Sequence, residues 1–115
     1  LSFSPLACGI LSGKYLNGIV PDGSRKSFYK DLGNRNSDQA LSASKKYLKI
    51  SEIYQIDPCQ MAIAFCLRNP LIKSVIFGAT SEGQLLNNLK SKDIVLNNDV
   101  LSDISKVFKK YPVPF

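Results

Sequence analysis

Two segments of the 115-residue chain combine residue types that can hold an anion. Residues 3–15 read FSPLACGILSGKY, an apolar start followed by small residues and a lysine. Residues 74–81 read SVIFGATS, and the polar side chains Gln84, Asn87 and Asn88 follow them. Each segment has the pattern of a strand that ends in small residues, and the second leads into a helix start. Such a junction presents backbone N–H groups and positive helix-dipole charge, so the two segments predict half of a dinucleotide site.

The elements that must position these segments follow from periodicity and capping residues. We expect strands at residues 1–6 and 74–77, and helices at 37–54, 58–69, 81–91 and 98–110. Residues 16–36 lack periodicity and are rich in Gly, Pro, Asn and Ser, which predicts a long loop. Asp57 followed by Pro58 and Gln60 predicts a capping box, and Ser81 with Gln84 predicts another. Strands that alternate with helices favour an α/β fold.

The apolar patterns also predict which faces are buried. Helix 58–69 is apolar on nearly all sides and strand 74–77 has no polar interruption, so we expect deep burial of both. The two longer helices carry buried stripes at intervals of three and four, namely Ala40, Ala43, Tyr47, Ile50 and Tyr54, and Leu101, Ile104, Phe108 and Tyr111. Two strands alone do not make a stable parallel sheet. Either strands from elsewhere complete the sheet, or the 115 residues fold poorly.

The first residues of the chain bear on the same question. The sequence starts on Leu1, without a methionine, and its opening residues have the pattern of a strand interior. We therefore expect the N-terminal part of a larger protein to be missing from it.

Composition excludes several functional classes. The net charge is +6, but the lysines of helices 37–54 and 98–110 lie off the buried stripes, which favours solvated helix faces over a nucleic-acid patch. Three cysteines without a Cys-x-x-Cys spacing indicate a reducing, cytoplasmic location. The absence of histidine disfavours a metal site. No apolar run approaches the roughly 18 residues of a membrane span.

At the residues quoted above the chain resembles the aldo-keto reductase superfamily. It is most similar to the branch that contains bacterial oxidoreductases and voltage-gated potassium channel beta subunits. Residues 4–15 resemble that branch's strand-seven motif, residues 58–69 its buried helix before strand eight, and residues 74–80 its strand-eight phosphate loop. The resemblance covers essentially the whole chain, 1–115. It implies an α/β fold, the C-terminal portion of a (β/α)8 TIM barrel that is incomplete on its own.

The resemblance implies NADP as cofactor and assigns positions around it. Phe3 would stack on the nicotinamide ring, where this branch usually has Trp or Tyr. Five small or apolar residues would pass under the central phosphates, offering N–H groups and little bulk, namely Ser4, Pro5, Leu6, Ala7 and Gly9. Lys14, with Ser24 or Arg25 from the loop, would pair with phosphate, and a pair of cations would select a 2′-phosphate.

The second segment would hold the other end of the cofactor. By the same resemblance, Gly78, Thr80 and Gln84 hold the adenosine phosphate end, and Asn87 and Asn88 face the adenine. The family commonly has glutamate where Asn87 stands. A loop aromatic that often precedes the arginine is replaced by Asp22-Gly23.

Taken singly, these residues also have ordinary structural interpretations. Phe3 fits a core position, Pro5 and Gly9 fit a turn, and Gly78 with Ser81 fits a strand-to-helix cap. Lys14 and Arg25 fit an exposed surface. The family's catalytic tyrosine, lysine, aspartate and histidine lie on earlier strands, so we expect no catalytic residue in this chain.

The sequence therefore supports one leading hypothesis and two alternatives. The first is the cofactor-binding segment of an NADP-dependent reductase that converts aldehydes or ketones to alcohols, with a small carbonyl substrate and no turnover by the 115 residues alone. The second is a non-catalytic NADP-binding regulatory subunit. The third is a basic interaction module that binds polyanions with a steep salt dependence. Oligomeric state stays open.

Overall fold

The computed structural model describes residues 1–114, which form a mixed, helix-rich α/β structure. Its strands are β1 (Ser2–Phe3) and β2 (Val75–Ile76). Its α-helices are α1 (Arg25–Phe28), α2 (Asp38–Ile53), α3 (Pro58–Leu67), α4 (Glu82–Leu89) and α5 (Asn98–Lys110). Short 3-10 helices span Ala7–Ser12, Leu16–Gly18 and Lys90–Asp93. The last of these continues α4, and two short helices interrupt the segment that we predicted to be loop throughout.

The two strands pair in parallel and are shorter than the sequence predicts. Ser2 lies opposite Val75 and Phe3 opposite Ile76, and the Ser2 N–H donates to the Ser74 carbonyl at 2.9 Å. The predicted strand at 1–6 is wrong beyond Phe3, because Ser4 has a φ of 54° and the chain turns there. The parallel pairing sets the C-terminal ends of both strands side by side.

The predicted deep burial of β2 and of the helix before it is wrong on one side. The Ile76 side chain is 55% exposed, Phe3 opposite it is 77% exposed, and Phe65 of α3 is 40% exposed. The physical reason is the width of the sheet, since the described residues pair only two strands and leave these apolar side chains without a covering layer.

The main core lies between the three long helices. Ile50 of α2, Met61 of α3, and Val100 and Ile104 of α5 form it. The predicted α2 stripe is confirmed as buried at Ala40, Ala43 and Ile50, while Tyr47 and Tyr54 are half-buried against the core. The α5 stripe is wrong at Phe108, which is exposed.

A second, smaller core lies under the 3-10 helix Ala7–Ser12. It contains Ile10, Tyr15 and Leu32. The buried Ser44 hydroxyl of α2 donates to the Ile10 carbonyl at 2.9 Å and fastens this core to the helix.

The helix starts agree with the predicted caps, but the glutamine partners do not. Asp57 accepts from the Cys59 and Gln60 N–H groups, and Ser81 accepts from the Gln84 N–H. Neither glutamine completes a capping box. Gln60 Nε2 reaches Asn87 of α4, and Gln84 Oε1 accepts from Thr80, because these long side chains find partners on neighbouring segments.

A charged cluster ties α2 to α5 at the surface. The Tyr54 hydroxyl donates to Asp103 at 2.9 Å, and Lys106 Nζ donates to the same carboxylate at 2.7 Å. These two hydrogen bonds lower the pKa of Asp103, with Lys106 the stronger influence. The hydrogen bond to Asp103 is also the main reason that the pKa of Tyr54 is raised.

This cluster makes stability depend on pH at the acid end. Because the Asp103 pKa is lowered on folding, its contribution is present above the unfolded-state pKa of about 3.9 and is lost as the pH falls through the lowered value. We predict that Asp103→Asn lowers the thermal midpoint at pH 7 and that the difference from wild type shrinks from pH 4 to pH 3. Asp93→Asn, at an exposed position, is the control. A difference that stays constant down to pH 3 would contradict this assignment.

Candidate functional site

A groove of about 630 Å³ lies at the C-terminal ends of the two strands. Thirteen of the fourteen residues that the sequence analysis selected line it, namely Phe3, Ser4, Pro5, Leu6, Gly9, Lys14, Ser24, Arg25, Gly78, Thr80, Gln84, Asn87 and Asn88. We call it the strand-end groove. The exception is Ala7, which lines a neighbouring apolar groove that contains Tyr47, Met61 and Phe65. Residues from three separate parts of the chain therefore meet in one place.

The first wall is a tight turn of left-handed backbone. Ser4, Ala7 and Cys8 have φ values of 54°, 47° and 59°, and Gly9 follows at 94°. Left-handed geometry costs an L-residue about 1–2 kcal/mol, so three such residues in one turn require a surrounding structure that holds them. The N–H groups of Ala7 and Gly9 donate to the Ser4 and Leu6 carbonyls within the turn. Contrary to the sequence analysis, these two N–H groups are therefore already occupied.

The amine of Lys14 lies across the end of that turn. A Cβ built on Gly9 would approach Lys14 Cε to 2.7 Å and Nζ to 3.1 Å, so the lysine side chain occupies the space above the glycine. The same Nζ is 5.2 Å from the centre of the Tyr15 ring. The missing side chain at Gly9 thus lets a cation lie against the backbone in the groove.

The loop residues Ser24 and Arg25 form a second wall. Ser24 is only 7% exposed, and its hydroxyl Oγ has no hydrogen-bond partner among residues 1–114. A buried hydroxyl without a partner is unfavourable by about 1–3 kcal/mol, so a water or ligand atom that reached this oxygen would stabilise it. Arg25 Nη1 donates to the Cys8 sulfur at 3.7 Å, so the loop reaches the first wall across the groove.

The third wall follows β2 and ends at α4. Gln84 Oε1 accepts from both the Thr80 N–H at 3.0 Å and the Thr80 hydroxyl at 3.1 Å. This pair of hydrogen bonds fixes the loop just before the α4 N-terminus. Nothing lies within 4 Å of a Cβ built on Gly78, so the backbone there is open to a close ligand.

Asn87 joins α4 to the start of α3. Its Nδ2 donates to Asp57 at 3.0 Å, and its Oδ1 accepts from Gln60 Nε2 at 2.8 Å. The sequence analysis expected Asn87 to face an adenine, whereas in the structure both ends of its amide already hold other residues. Asn88 is buried, and its carbonyl accepts from the Ser91 hydroxyl.

Seven further residues line the groove that sequence reasoning missed: Cys8, Ser12, Gly23, Cys59, Ile76, Phe77 and Ala79. Six of them are neighbours of predicted residues in the same segments, a signal that was available. Cys59 is different, because only the position of α3 brings it there. Burial raises the pKa of its thiol to about 11, with Asp57 adding to the effect and Lys14 opposing it, so the thiol stays protonated at neutral pH.

The described residues offer neither a metal cluster nor a membrane span. Within residues 1–114, no three His, Cys, Asp or Glu side chains lie close enough together to bind a metal ion. In the same range, every helix is too short or too polar to cross a bilayer. Tyr54, Asp103 and Lys106 combine a tyrosine, an acid and a lysine, but they lie outside the strand-end groove and the Tyr54 pKa is raised. A general acid must lie within hydrogen-bond reach of the group it protonates, and this cluster lies away from the groove.

Taken together, the fold and the groove define a class of protein. Parallel strands followed by helices, with polar and basic groups gathered at the C-terminal strand ends, are typical of α/β proteins that bind a ligand at this edge. The sequence model of the aldo/keto reductase family matches residues 1–109. The chain belongs to the aldo/keto reductase family.

Individual relatives agree with this assignment. The chain is 38% identical to Protein tas of Escherichia coli K12 over 114 residues, which covers 99% of the chain and 33% of Protein tas. It is 39% identical to a probable voltage-gated potassium channel subunit beta of Arabidopsis thaliana, over 96% of the chain and 35% of that protein. The chain thus spans about a third of the length of these relatives.

A pair of glycines tests how Lys14 is held. Gly9 and Gly18 both have positive φ, but a Cβ on Gly18 meets nothing within 4 Å. We predict that Gly9→Ala and Gly18→Ala each destabilise the chain by about 1–2 kcal/mol, measured by urea unfolding, since both place an L-residue in left-handed geometry. Only Gly9→Ala displaces the Lys14 amine. Its acylation rate, followed by mass spectrometry, should rise in that variant alone, and equal rates in both variants would contradict the contact.

Proposed function

We propose that residues 1–115 are the cofactor-binding, C-terminal part of an NADP-dependent aldo-keto reductase. The whole protein would reduce aldehydes or ketones to alcohols, with these residues forming about strands seven and eight of a (β/α)8 barrel and their helices. One observation carries the proposal. Ser24, whose buried hydroxyl has no partner among the described residues, lines the same groove as the cations Lys14 and Arg25.

The groove chemistry fits a nucleotide that carries several phosphates. Lys14 and Arg25 supply two positive charges, and guanidinium and ammonium groups are the usual phosphate partners in proteins. The Ser24 hydroxyl would donate to a phosphate oxygen. The open backbone at Gly78 would receive the phosphate of the adenosine end beside the α4 N-terminus, and Thr80, whose two donors are held by Gln84, would shape the loop around it. The reduced cofactor NADPH, when bound, would supply the hydride and become NADP⁺.

The nicotinamide end would lie at the exposed aromatic of β1. Phe3 lines the groove and is largely exposed, so one ring face is open for stacking. The left-handed turn from Ser4 to Gly9 keeps side-chain bulk low beside it. This wall would orient the nicotinamide through contact and shape, because its Ala7 and Gly9 N–H groups are already used within the turn.

The exposed apolar side of the structure supports a larger barrel. Ile76 and Phe65 are uncovered on the faces where a wider sheet and further helices would pack. In the proposed whole protein, additional strands would cover these side chains and bring the acid that protonates the carbonyl oxygen. The groove lining contains no tyrosine or histidine among the described residues. We accordingly expect no carbonyl reduction by the 115 residues alone, and a measured rate would contradict this division of labour.

A regulatory NADP-binding subunit is the second candidate. The similarity to a protein named as a probable potassium channel subunit beta favours it, because a regulatory protein needs the groove but not turnover. The sequence of the whole protein that contains these 115 residues would decide between the enzyme and the regulatory subunit. A tyrosine, lysine and aspartate at the ends of earlier strands would favour the enzyme, and their loss would favour the regulator.

Nucleotide binding by the purified chain tests the proposal directly. We predict that calorimetry finds NADPH binding at least tenfold tighter than NADH binding. Lys14→Ala and Arg25→Ala should each weaken NADPH binding about tenfold, since hydrogen bonds to charged groups contribute about 1.5–3 kcal/mol. Lys45→Ala, on the exposed face of α2, is the control.

A different pattern of nucleotide affinities would contradict the proposed NADP site. Equal affinity for NADPH and NADH, with a steep loss of both at high salt, would indicate the basic interaction module instead.

A further inference from the structure

Tyr15 is the most deeply buried large side chain beside the strand-end groove. It is 1% exposed, packs with Ile10 and Leu32, and directly follows the groove cation Lys14. A phenylalanine would fill this core equally well. The hydroxyl therefore calls for a separate explanation, because a buried polar group is retained at a cost unless it is paired.

That hydroxyl accepts a hydrogen bond from the loop. The Lys26 N–H donates to Tyr15 Oη at 3.3 Å, and the Lys26 amine lies 5.7 Å from the centre of the Tyr15 ring. Lys26 is the second residue of the one-turn helix α1 (Arg25–Phe28), where a backbone N–H has no partner inside the helix. The buried Tyr15 hydroxyl thus accepts the hydrogen bond that the side chain at the capping position of a helix ordinarily accepts.

The residue at the capping position is Ser24, and it does not cap. Serine before a helix usually accepts from the N–H two or three residues on. Here the Lys26 N–H is taken by Tyr15, and the Ser27 N–H donates to the Ser24 carbonyl at 3.0 Å. The Ser24 side chain makes no cap bond, and its hydroxyl stays buried without a partner in a residue that lines the groove.

We propose that Tyr15 is a positioning residue that caps α1 in place of Ser24 and so keeps the Ser24 hydroxyl free for a phosphate oxygen of the bound nucleotide. The nucleotide part of this inference rests on the proposed NADP site. The cap exchange itself concerns only the contacts of Tyr15, Ser24 and Lys26. Without the Tyr15 hydroxyl, Ser24 rotates to accept the Lys26 N–H and leaves the groove.

The cap exchange is tested without ligand by hydrogen exchange of the Lys26 amide. In the wild type and in Ser24→Ala this amide is protected, because Tyr15 accepts its hydrogen. Tyr15→Phe keeps partial protection through Ser24, and the double variant Tyr15→Phe with Ser24→Ala loses it. Loss of Lys26 protection in the single variant Ser24→Ala would overturn the claim that Tyr15 caps α1. Protection that is kept in the double variant would overturn it too.

The consequence for binding is tested by a double-mutant cycle on the NADPH affinity of the full chain. Tyr15→Phe and Ser24→Ala should each weaken NADPH binding about fivefold, and the double variant should be no weaker than Ser24→Ala, since both changes remove the same hydroxyl from the ligand. Tyr29→Phe changes an exposed tyrosine of the same loop and should have no effect.

Two results would overturn the positioning role. One is a Tyr15→Phe variant that binds NADPH as the wild type does, and the other is a double variant whose losses multiply. If the wild type shows no preference for NADPH over NADH, the proposed function fails as well. The hydrogen-exchange data on the Lys26 amide still decide whether Tyr15 caps α1. A general structural role for Tyr15 would weaken binding whether or not Ser24 is present, so the two losses would then multiply.

Discussion

The rest of the structure depends on the parallel pairing of β1 with β2. Only two residue pairs form it, yet they join segments more than 70 positions apart in the chain. Parallel strands require a long crossover, and here α2 and α3 are its two longest helices and carry much of the core. Because both strands run the same way, their C-terminal ends meet at one edge. The strand-end groove exists because of that geometry.

The walls of the groove are fixed in different ways. The turn after β1 is held by its own backbone and by the Ser44 hydrogen bond from α2. The α4 wall is held against the start of α3 by Asp57, Gln60 and Asn87. The loop wall depends on fewer contacts, among them the hydrogen bond of Tyr15 to Lys26. Ser24, whose Oγ carries the functional proposal, belongs to this loop wall.

Local signals predicted α2 to α5 and the two anion-holding segments, the family resemblance added Ser24 and Arg25, and long-range contacts account for what was missed. The start of α3 follows from Asp57 and Pro58, which act within one turn of each other. The bonds of Gln60 to Asn87 span 27 positions and have no local pattern. The apolar neighbours of Ile76 predict a buried strand residue. Its side chain is exposed, because burial depends on how many strands pair and the described residues pair only two. The Ser24 hydroxyl lacks a partner because Tyr15 accepts the Lys26 N–H in its place. Residue spacing in the sequence does not predict that contact.

The central claim is that the strand-end groove holds a phosphate-bearing cofactor through Ser24. A crystal structure of the chain with NADP⁺ tests it most directly. We predict a phosphate oxygen about 2.7 Å from Ser24 Oγ, the ordinary length of such a hydrogen bond, with Lys14 and Arg25 facing the same phosphates. NADP⁺ bound elsewhere, or bound in the groove with Ser24 Oγ still lacking a partner, would contradict the account.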